Sequence, residues 1–241
     1  MRLALLLITL TLAPLEAQAP SLQLTFIGNE AIQISDGRRT LVSDFPYQSG
    51  YSRYMTYDRT KVALDRDVVA LITHRHFDHF LPTEPRGAGW QVVGPREVVE
   101  KLPDGKPVSD GVMTVGDIRI QPMRTPHAGV EHYSYRVDWH GAHFYFPGDT
   151  EDPQTLIAQK GLDVAFVTPW LWRKVQSSGT RIDAKQIVIY HHEAGETVAG
   201  CTSPCRVPAQ GERWSVAART PSAVRIRAQL IPIDPRESAS R

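Results

Sequence analysis

The chain has 241 residues, of which 41% are hydrophobic and 22% are charged. This composition is typical of a globular protein with one sizeable core, so it excludes a disordered chain, and we expect one domain. The formal net charge is only +1, which gives no reason to expect a polyanionic partner such as nucleic acid. A small molecule is the more natural binding partner.

The first residues predict a signal peptide. Arg2 precedes an apolar run over Leu3–Ala13, and small residues follow, ending in Ala17 and Ala19. This layout is typical of exported proteins, and the run is shorter than the roughly 20 apolar residues of a spanning helix. We expect a signal peptide over residues 1–19 to be removed by cleavage after Ala19 or, alternatively, after Ala17. The mature protein should be soluble, in the periplasm or outside the cell, without a membrane partner. An uncleaved first core element is the alternative.

The next segments predict an antiparallel meander. Three short stretches are rich in apolar and β-branched residues, and turn signals separate them. The stretches are Leu22–Ile27, Ala31–Ile34 and Thr40–Val42. Residues 45–58 hold four tyrosines that follow neither strand nor helix periodicity, which predicts a loop. Its tyrosines fit ligand contacts and packing at a sheet edge equally well.

Asp67–Thr73 is a nearly continuous apolar run, as in a strand that is buried on both faces. A short helix is predicted over Pro95–Leu102, followed by a strand over Ile118–Pro122. The dipeptide His140-Gly141 is a turn signal between two apolar segments, so it predicts a β-hairpin. The hairpin strands are Glu131–Trp139 and Ala142–Phe146.

In the second half, Asp152 and Pro153 predict the start of a helix that runs to Lys160 and ends at Gly161. Three further elements are predicted: a strand over Asp163–Thr168, a helical turn over Asp183–Lys185 and a strand over Gln186–Tyr190. A meander followed by strand–helix alternation indicates an α/β sandwich. We expect one domain over residues 20–214 and a tail over 215–241, with a final strand near Ala228–Ile233 and then a disordered end.

The two cysteines, Cys201 and Cys205, lie four residues apart. In an oxidising compartment such a pair is suited to a small-loop disulfide. A CxxxC metal site is the alternative, but it lacks a second pair of ligands nearby. We interpret the pair as structural.

Directly after the predicted buried strand, residues 73–79 have the sequence THRHFDH. It places four candidate metal ligands, His74, His76, Asp78 and His79, within six residues. A loop at a strand end can turn such side chains towards one point, and zinc accepts both imidazole nitrogen and carboxylate oxygen. A surface cluster of charges is the alternative, but core packing gives no reason for this density.

This segment resembles the signature HxHxDH of the metallo-β-lactamase superfamily, and the resemblance extends from about Leu22 to Trp214. It implies a four-layer αβ/βα sandwich. Asp44 resembles the family's structural aspartate, and His127 in TPHAG resembles the histidine of the third motif. Asp149 in PGDT resembles the aspartate that bridges two metals.

The fifth motif is a histidine after a late strand, and here His191 and His192 stand together in IVIYHHE. A strand-x-His ending favours His191, whereas a strand-Pro-x-His ending favours His192. Neighbouring side chains of a strand point to opposite faces, so only one should reach the metals. We expect it to be His192.

By this resemblance, His74, His76 and His127 hold one metal ion, and Asp78, His79 and His191 or His192 hold a second, with Asp149 between them. Two divalent ions, zinc or else manganese or iron, would make hydroxide available near neutral pH and stabilise a developing oxyanion. Asp78 would orient the water or pass on its proton. The expected function is hydrolysis of an ester, lactone, amide or phosphodiester bond of a small molecule. Aspartate at 149 resembles the lactonase, glyoxalase II and phosphodiesterase branches more than the true β-lactamases.

Three other functions remain open. They are a metal-stabilised binding protein without turnover, a nuclease or phosphodiesterase of the same superfamily, and a di-iron redox enzyme. His132, five residues after His127, is a candidate for orienting a ligand by a hydrogen bond. Trp170 and Trp172 are candidates either for lining the pocket or for covering the core.

Overall fold

The computed structural model describes residues 21–219, apart from residues 51, 52, 54, 63, 65, 66, 84–89 and 101. The predicted signal peptide at 1–19 and the predicted tail strand Ala228–Ile233 therefore lie outside the described residues. Within them, the chain forms two seven-stranded sheets and three α-helices.

The first sheet is formed by the first six strands and the last one. Its members are β1 (Ser21–Gly28), β2 (Ala31–Ser35), β3 (Thr40–Ser43), β4 (Val68–Leu71), β5 (Gln91–Gly94), β6 (Gly105–Pro107) and β14 (Arg213–Ala217). Their order is β14-β1-β2-β3-β4-β5-β6. The pairs from β14 to β3 are antiparallel and those from β3 to β6 are parallel. The predicted meander of β1 to β3 is thus confirmed, and β14 carries the sheet past the domain boundary expected at residue 214.

The second sheet is formed by the strands in between. Its members are β7 (Met113–Val115), β8 (Ile118–Arg124), β9 (Tyr133–Trp139), β10 (Ala142–Phe146), β11 (Leu162–Val167), β12 (Ala184–Ile189) and β13 (Cys205–Arg206). Their order is β7-β8-β9-β10-β11-β12-β13, with antiparallel pairs up to β10 and parallel pairs beyond it. The predicted hairpin around His140-Gly141 is confirmed as β9 and β10.

These pairings set the direction of the strands that precede the histidines and aspartates singled out in the sequence. In the first sheet, β1, β3 and β4 run in the same direction, because two antiparallel steps separate β1 from β3 and β3 is parallel to β4. In the second sheet, β8, β10 and β12 run in the same direction by the same reasoning. The carboxyl ends of each set of three strands therefore lie together at one edge of their sheet.

Three apolar clusters define the layers. The largest fills the space between the sheets and includes Phe26, Leu71, Phe144 and Phe166. A second cluster lies on the outer face of the first sheet, under helix α1 (Arg96–Val99). A third lies on the outer face of the second sheet, under α2 (Pro153–Ile157) and α3 (Pro169–Ser178). This is the expected four-layer αβ/βα sandwich of the metallo-β-lactamase fold.

No helix is predicted directly after β11, but helix α3 begins there, with Thr168 as its N-cap and Pro169 at its first position. This is the same cap-and-proline pattern that predicts the helix at Asp152 and Pro153. The helical turn predicted over Asp183–Lys185 is wrong, because β12 already begins at Ala184 and pairs with Leu162.

Cys201 and Cys205 form a disulfide, with an S–S distance of 2.07 Å. It closes the loop that packs against α3, where the indole N–H of Trp172 donates to the carbonyl of Ala199 at 3.0 Å. No described helix has the length and apolar character needed to cross a membrane.

Candidate metal centre

The histidines and aspartates of the site all lie in loops that follow strands of the two sheets. His74, His76, Asp78 and His79 follow β4, in a tight turn where the amides of His79 and Phe80 donate to the carbonyl of His76. The loops after β8, β10 and β12 bring in His127, Asp149 and the pair His191-His192. Loops at strand ends can converge in this way because the strands that carry them are fixed by the core.

Four side chains form a first group. Candidate ligand atoms of His74, His76, His127 and Asp149 all lie within 4.8 Å of one another. Nε2 of His74 lies 2.9 Å from Nδ1 of His76, and Nε2 of His127 lies 3.3 Å from the same atom. Three imidazoles thus turn ring nitrogens towards one point, at the part of the site where His127 is 18% exposed.

Three further side chains, Asp78, His79 and His191, form a second, more deeply buried group with the same 4.8 Å limit. Nε2 of His191 lies 3.3 Å from Nε2 of His79 and 3.6 Å from a carboxylate oxygen of Asp78. His79 and His191 are 0% and 1% exposed. Such dense packing of imidazoles and a carboxylate without solvent calls for a shared positive charge.

Asp149 connects the two groups. Its Oδ2 lies 3.3 Å from Nε2 of His79, 3.8 Å from Nε2 of His127 and 4.0 Å from Nε2 of His74. Its Oδ1 lies 3.3 Å from Nε2 of His191 and has no hydrogen-bond partner among the described residues, although it is buried. One carboxylate therefore faces both groups.

In the structure His191, rather than the expected His192, joins the second group. His192 stacks its ring on Phe26, with centroids 5.3 Å apart, and its Nδ1 lies 2.9 Å from the carbonyl of Glu193. Strand β12 ends at Ile189, and His191 has a left-handed backbone, with φ +52°. Its N–H donates to the carbonyl of Asn29 at 2.7 Å. The local backbone, not the alternation of a strand, directs His191 into the site.

The charges of the residues present fit bound metal. Burial lowers the pKa of His74 and of His127, so both rings are neutral and can offer a lone pair. Burial alone would raise the pKa of Asp149, but the charges of His191 and His79 outweigh it and hold that pKa well below its usual value. Burial alone would likewise lower the pKa of His79, but Asp149 and the surrounding carboxylates raise it well above the usual value. The carboxylates therefore favour a positive charge at this point, and a metal ion would supply that charge.

Asp44, which the sequence singled out as a structural aspartate, holds the loop that follows β4. Its carboxylate accepts from the amide of Thr73 and from the Thr73 hydroxyl, both at 2.8 Å, and lies 3.2 Å from Nδ1 of His79. It thereby fixes the ring of His79 with Nε2 directed into the site. Orientation of a ligand through its other ring nitrogen is common in metal sites.

His132 is not part of either group but holds Asp149 in place. Its Nε2 accepts the N–H of Asp149 at 3.0 Å, so its proton must be on Nδ1, which lies 2.8 Å from the Thr125 hydroxyl. That hydroxyl lies 3.0 Å from the Ser134 hydroxyl, which donates to the carbonyl of Pro147 at 2.7 Å. Burial lowers the pKa of His132 to about 3, in keeping with this neutral form.

Glu30, which no sequence motif singles out, is fully buried beside the second group. One of its carboxylate oxygens lies 3.5 Å from Nδ1 of His79. Burial raises the pKa of Glu30 well above its usual value. In the sequence, Glu30 is a charged residue between a turn dipeptide and an apolar run. Exposed turns commonly have this arrangement, so it does not mark Glu30 as a site residue.

The remaining aromatic candidates fall into two classes. The ring of Trp170 contacts His191, with centroids 5.0 Å apart, so it borders the site, whereas Trp172 is buried in the outer cluster. Tyr47 and Tyr57 pack against Phe45, and Tyr51 and Tyr54 lie outside the described residues.

His140 and His143 belong to neither of the two groups. His140 contacts Asp36, and His143 contacts Asp138.

Comparison with known proteins agrees with this geometry. A family model for the β-lactamase superfamily domain matches residues 56–203, which include every member of the two groups. No curated protein matches the chain significantly.

Among solved structures, the chain resembles a protein of Parabacteroides distasonis ATCC 8503 named as a metal-dependent hydrolase, with 20% identity and a TM-score of 0.58 over 81% of this chain and 99% of that one. The metallo-β-lactamase fold protein YhfI from Bacillus subtilis gives 14% identity and a TM-score of 0.57 over 80% and 99%. A diphosphatase of the PhnP family gives 14% identity and a TM-score of 0.55 over 81% and 97%. At these identities the structures show a shared fold. Together with the family match over most of its length, they show that this chain belongs to the metallo-β-lactamase superfamily of metal-dependent hydrolases.

Proposed function

We propose that the protein is a dinuclear metal-dependent hydrolase that cleaves an ester, lactone, amide or phosphodiester bond of a small molecule. The observation that carries this proposal is the position of Asp149, whose carboxylate lies near ring nitrogens of both groups. It is 3.8 Å from His127 and 4.0 Å from His74 in the first group, and 3.3 Å from both His79 and His191 in the second. A single structural metal would need only one of these groups.

The first metal position would be held by His74, His76 and His127, and the second by Asp78, His79 and His191, with Asp149 shared. Three or four nitrogen and oxygen ligands per ion are typical of catalytic zinc sites, which keep one position open. Zinc is the first choice, with manganese or iron as alternatives. Bound there, the metals would supply Lewis acidity, lowering the pKa of a water molecule and stabilising negative charge on the substrate.

The protein's own groups would position the reactants. Asp78 faces the second group with 12% of its side chain exposed, so it is suited to orient water and accept a proton from it. His127 and Asp149 are 18% and 12% exposed, whereas His191 is 1% exposed. A substrate would therefore approach from the side of His127, and Trp170 would border it near His191.

Two other functions compete with this one. A binding protein without turnover would have no need for two complete ligand groups joined by one carboxylate. A nuclease of the same superfamily would need a basic groove for the phosphate backbone, and the net charge of +1 does not favour one. The resemblance in fold to a diphosphatase keeps phosphate esters among the substrates to be tested.

The decisive experiment measures metal content and hydrolysis together. The full chain, reconstituted with zinc, manganese or iron, should bind about two metal equivalents and cleave a member of a panel of lactone, thioester, β-lactam and phosphodiester substrates. His191→Ala should lose the second equivalent and the activity, because it removes a ligand atom from the second group. His192→Ala is the matched control and should keep both, since its ring packs on Phe26 instead.

Three results would count against the proposal. Wild-type protein that binds no metal after reconstitution would remove its basis. Two bound equivalents without turnover of any substrate in the panel would favour the binding protein instead. Full activity in His191→Ala would show that hydrolysis does not need the second metal position.

We also propose that the protein acts outside the cytoplasm, on the basis of the signal-peptide layout of residues 1–19. Intact-mass measurement of protein recovered from an exporting host should show a chain that begins after Ala17 or Ala19. Retention of Met1 in soluble protein from outside the cytoplasm would contradict this.

A further inference from the structure

We propose that Glu30 is a third carboxylate ligand of the second metal position, which Asp78, His79 and His191 line. The inference rests on the proposed metal centre and adds to it a residue from outside its sequence motifs. Glu30 lies in the turn between β1 and β2 and is fully buried. Neither of its carboxylate oxygens has a hydrogen-bond partner among the described residues.

Other buried carboxylates of this protein show how unusual that is. Asp44 accepts two hydrogen bonds from Thr73 and contacts His79. Asp163 pairs with Lys185 at 2.8 Å and with Arg219 at 2.6 Å. A buried carboxylate without donors or a positive partner is costly and is retained only where something compensates it.

The available compensation inside the protein is weak. The nearest basic atom recorded for Glu30 is Nδ1 of His79, at 3.5 Å, and this nitrogen lies closer to Asp44, at 3.2 Å. In the described part of the chain, no lysine or arginine pairs with Glu30. A hydrogen atom on Nδ1 points to one acceptor at a time, so Asp44 leaves Glu30 without a full partner.

The position of Glu30 indicates a cation as the missing partner. A carboxylate oxygen of Glu30 lies within 4.8 Å of candidate ligand atoms of both Asp149 and His191, which also lie within that distance of each other. Ligand atoms bound to one ion at ~2.0–2.2 Å lie up to ~4.4 Å apart. A small rotation of the Glu30 carboxylate would therefore bring it into the same coordination sphere.

The turn that carries Glu30 is fastened to the loops of the second group. Asn29 has a left-handed backbone, with φ +49°, and its carbonyl accepts the N–H of His191 at 2.7 Å. The side-chain amide of Asn29 donates to the carbonyl of Asp78 at 3.4 Å. The backbone next to Glu30 is thus held to two members of the group that it would complete.

This assignment makes the two metal positions chemically different. The first would have three imidazoles and one shared carboxylate, whereas the second would have two imidazoles and the carboxylates of Asp78, Asp149 and Glu30. Carboxylate oxygens suit harder ions such as Mn²⁺, and imidazole suits zinc. We therefore expect the ratio of Mn²⁺ affinity to Zn²⁺ affinity to be higher at the second position than at the first. Glu30 should be responsible for part of this difference.

The test compares wild type with Glu30→Gln, which keeps the shape of the side chain and removes its charge. Calorimetric titration of metal-free protein with Mn²⁺ and, separately, with Zn²⁺ gives the affinity of each equivalent. Glu30→Gln should weaken the second Mn²⁺ equivalent by at least tenfold and the second Zn²⁺ equivalent by less, and should leave the first unchanged. Metal-free Glu30→Gln should also unfold at a higher temperature than metal-free wild type, because the free-energy cost of burying an ionisable carboxyl group without a full partner is gone.

Asp163→Asn is the matched control, since it neutralises a buried carboxylate that already has two cationic partners. It should lower the unfolding temperature of the metal-free protein and leave both metal affinities unchanged. Glu30→Gln should thus raise the unfolding temperature and Asp163→Asn should lower it. This difference in sign distinguishes a carboxylate that binds metal from one that stabilises the fold.

Three results would overturn the inference. They are equal losses of Mn²⁺ and Zn²⁺ affinity, which would place Glu30 behind His79 as an orienting group only; unchanged affinity for the second equivalent; and a lower unfolding temperature or failure to fold in metal-free Glu30→Gln. If wild type binds no metal at all, the proposed function fails. If wild type binds two equivalents and Glu30→Gln binds them equally well, only the role of Glu30 fails.

Discussion

Replacement of Gly148 by alanine should damage the turn that presents Asp149. Gly148 has φ +62°, in the left-handed region that favours glycine. An added Cβ would lie 2.4 Å from Nε2 of His132 and 2.9 Å from Cβ of Thr73. His132 cannot yield easily, because it is buried and bonded both to the N–H of Asp149 and to the hydroxyl of Thr125.

Two effects contribute to the expected loss of stability. A non-glycine residue in the left-handed region costs about 1–2 kcal/mol, of which reduced freedom of the unfolded chain recovers about 0.4–1 kcal/mol. Overpacking a buried contact adds about 1–3 kcal/mol. Gly148→Ala should therefore lower the free energy of unfolding by roughly 1–4.5 kcal/mol, and it should weaken metal binding because Asp149 shifts with the turn.

Gly179→Ala is the matched control. Gly179 ends α3 with φ +68°, and a Cβ added there meets nothing within 4 Å. It should cost only the backbone term, about 1 kcal/mol, and leave metal affinity unchanged. Urea denaturation of the metal-free variants gives both free energies. Equal losses in the two variants would refute the argument that the His132 contact makes Gly148 irreplaceable.

Two further predictions concern regions away from the site. Reduction of the Cys201–Cys205 disulfide should lower the free energy of unfolding by no more than about 2 kcal/mol, because the cysteines are only 4 residues apart. Urea denaturation with and without reductant measures this, and loss of metal on reduction would contradict it. Burial alone would raise the pKa of Asp138, but hydrogen bonding to His143 and the charge of Arg136 outweigh it and lower that pKa. Stabilisation by the ionised group is then present above the unfolded value, about 3.9, and is lost as the pH falls through the lower folded value. Asp138→Asn should accordingly be less stable than wild type at pH 6 and approach it in acid, whereas a difference independent of pH would argue against this.

Much of the site could be predicted from the sequence because its residues occur in short motifs at strand ends. A buried strand is recognisable as a continuous apolar run, and the next residues must lie at its carboxyl end. That reasoning located His74, His76, Asp78 and His79, and the resemblance to a known family located His127 and Asp149. The structure brings all six together with His191, as the motif spacing indicated.

Glu30 and helix α3 could not be found in the same way, for different reasons. Glu30 is a single charged residue at a turn, and only its tertiary contacts with His79, Asp149 and His191 distinguish it from a solvated one. Helix α3 begins without a gap after β11, so the apolar character of strand and helix merges in the sequence at Thr168. The local sequence pattern describes each segment by itself. The burial of a residue and its neighbours in space depend on how the sheets pack together.

The pair His191-His192 shows where a sound local rule fails. Alternation holds for residues with extended backbone, and it assigned the two side chains to opposite faces without deciding which one enters the site. The strand ends at Ile189, and His191 adopts φ +52°, a conformation that costs free energy for a non-glycine residue. The compensating hydrogen bond comes from Asn29, 162 positions earlier in the sequence, at 2.7 Å. The choice between the two histidines is therefore made by the β1–β2 turn, which also carries Glu30, and a substitution that removes the left-handed turn at Asn29 should disturb His191 before it affects any residue of the HxHxDH segment.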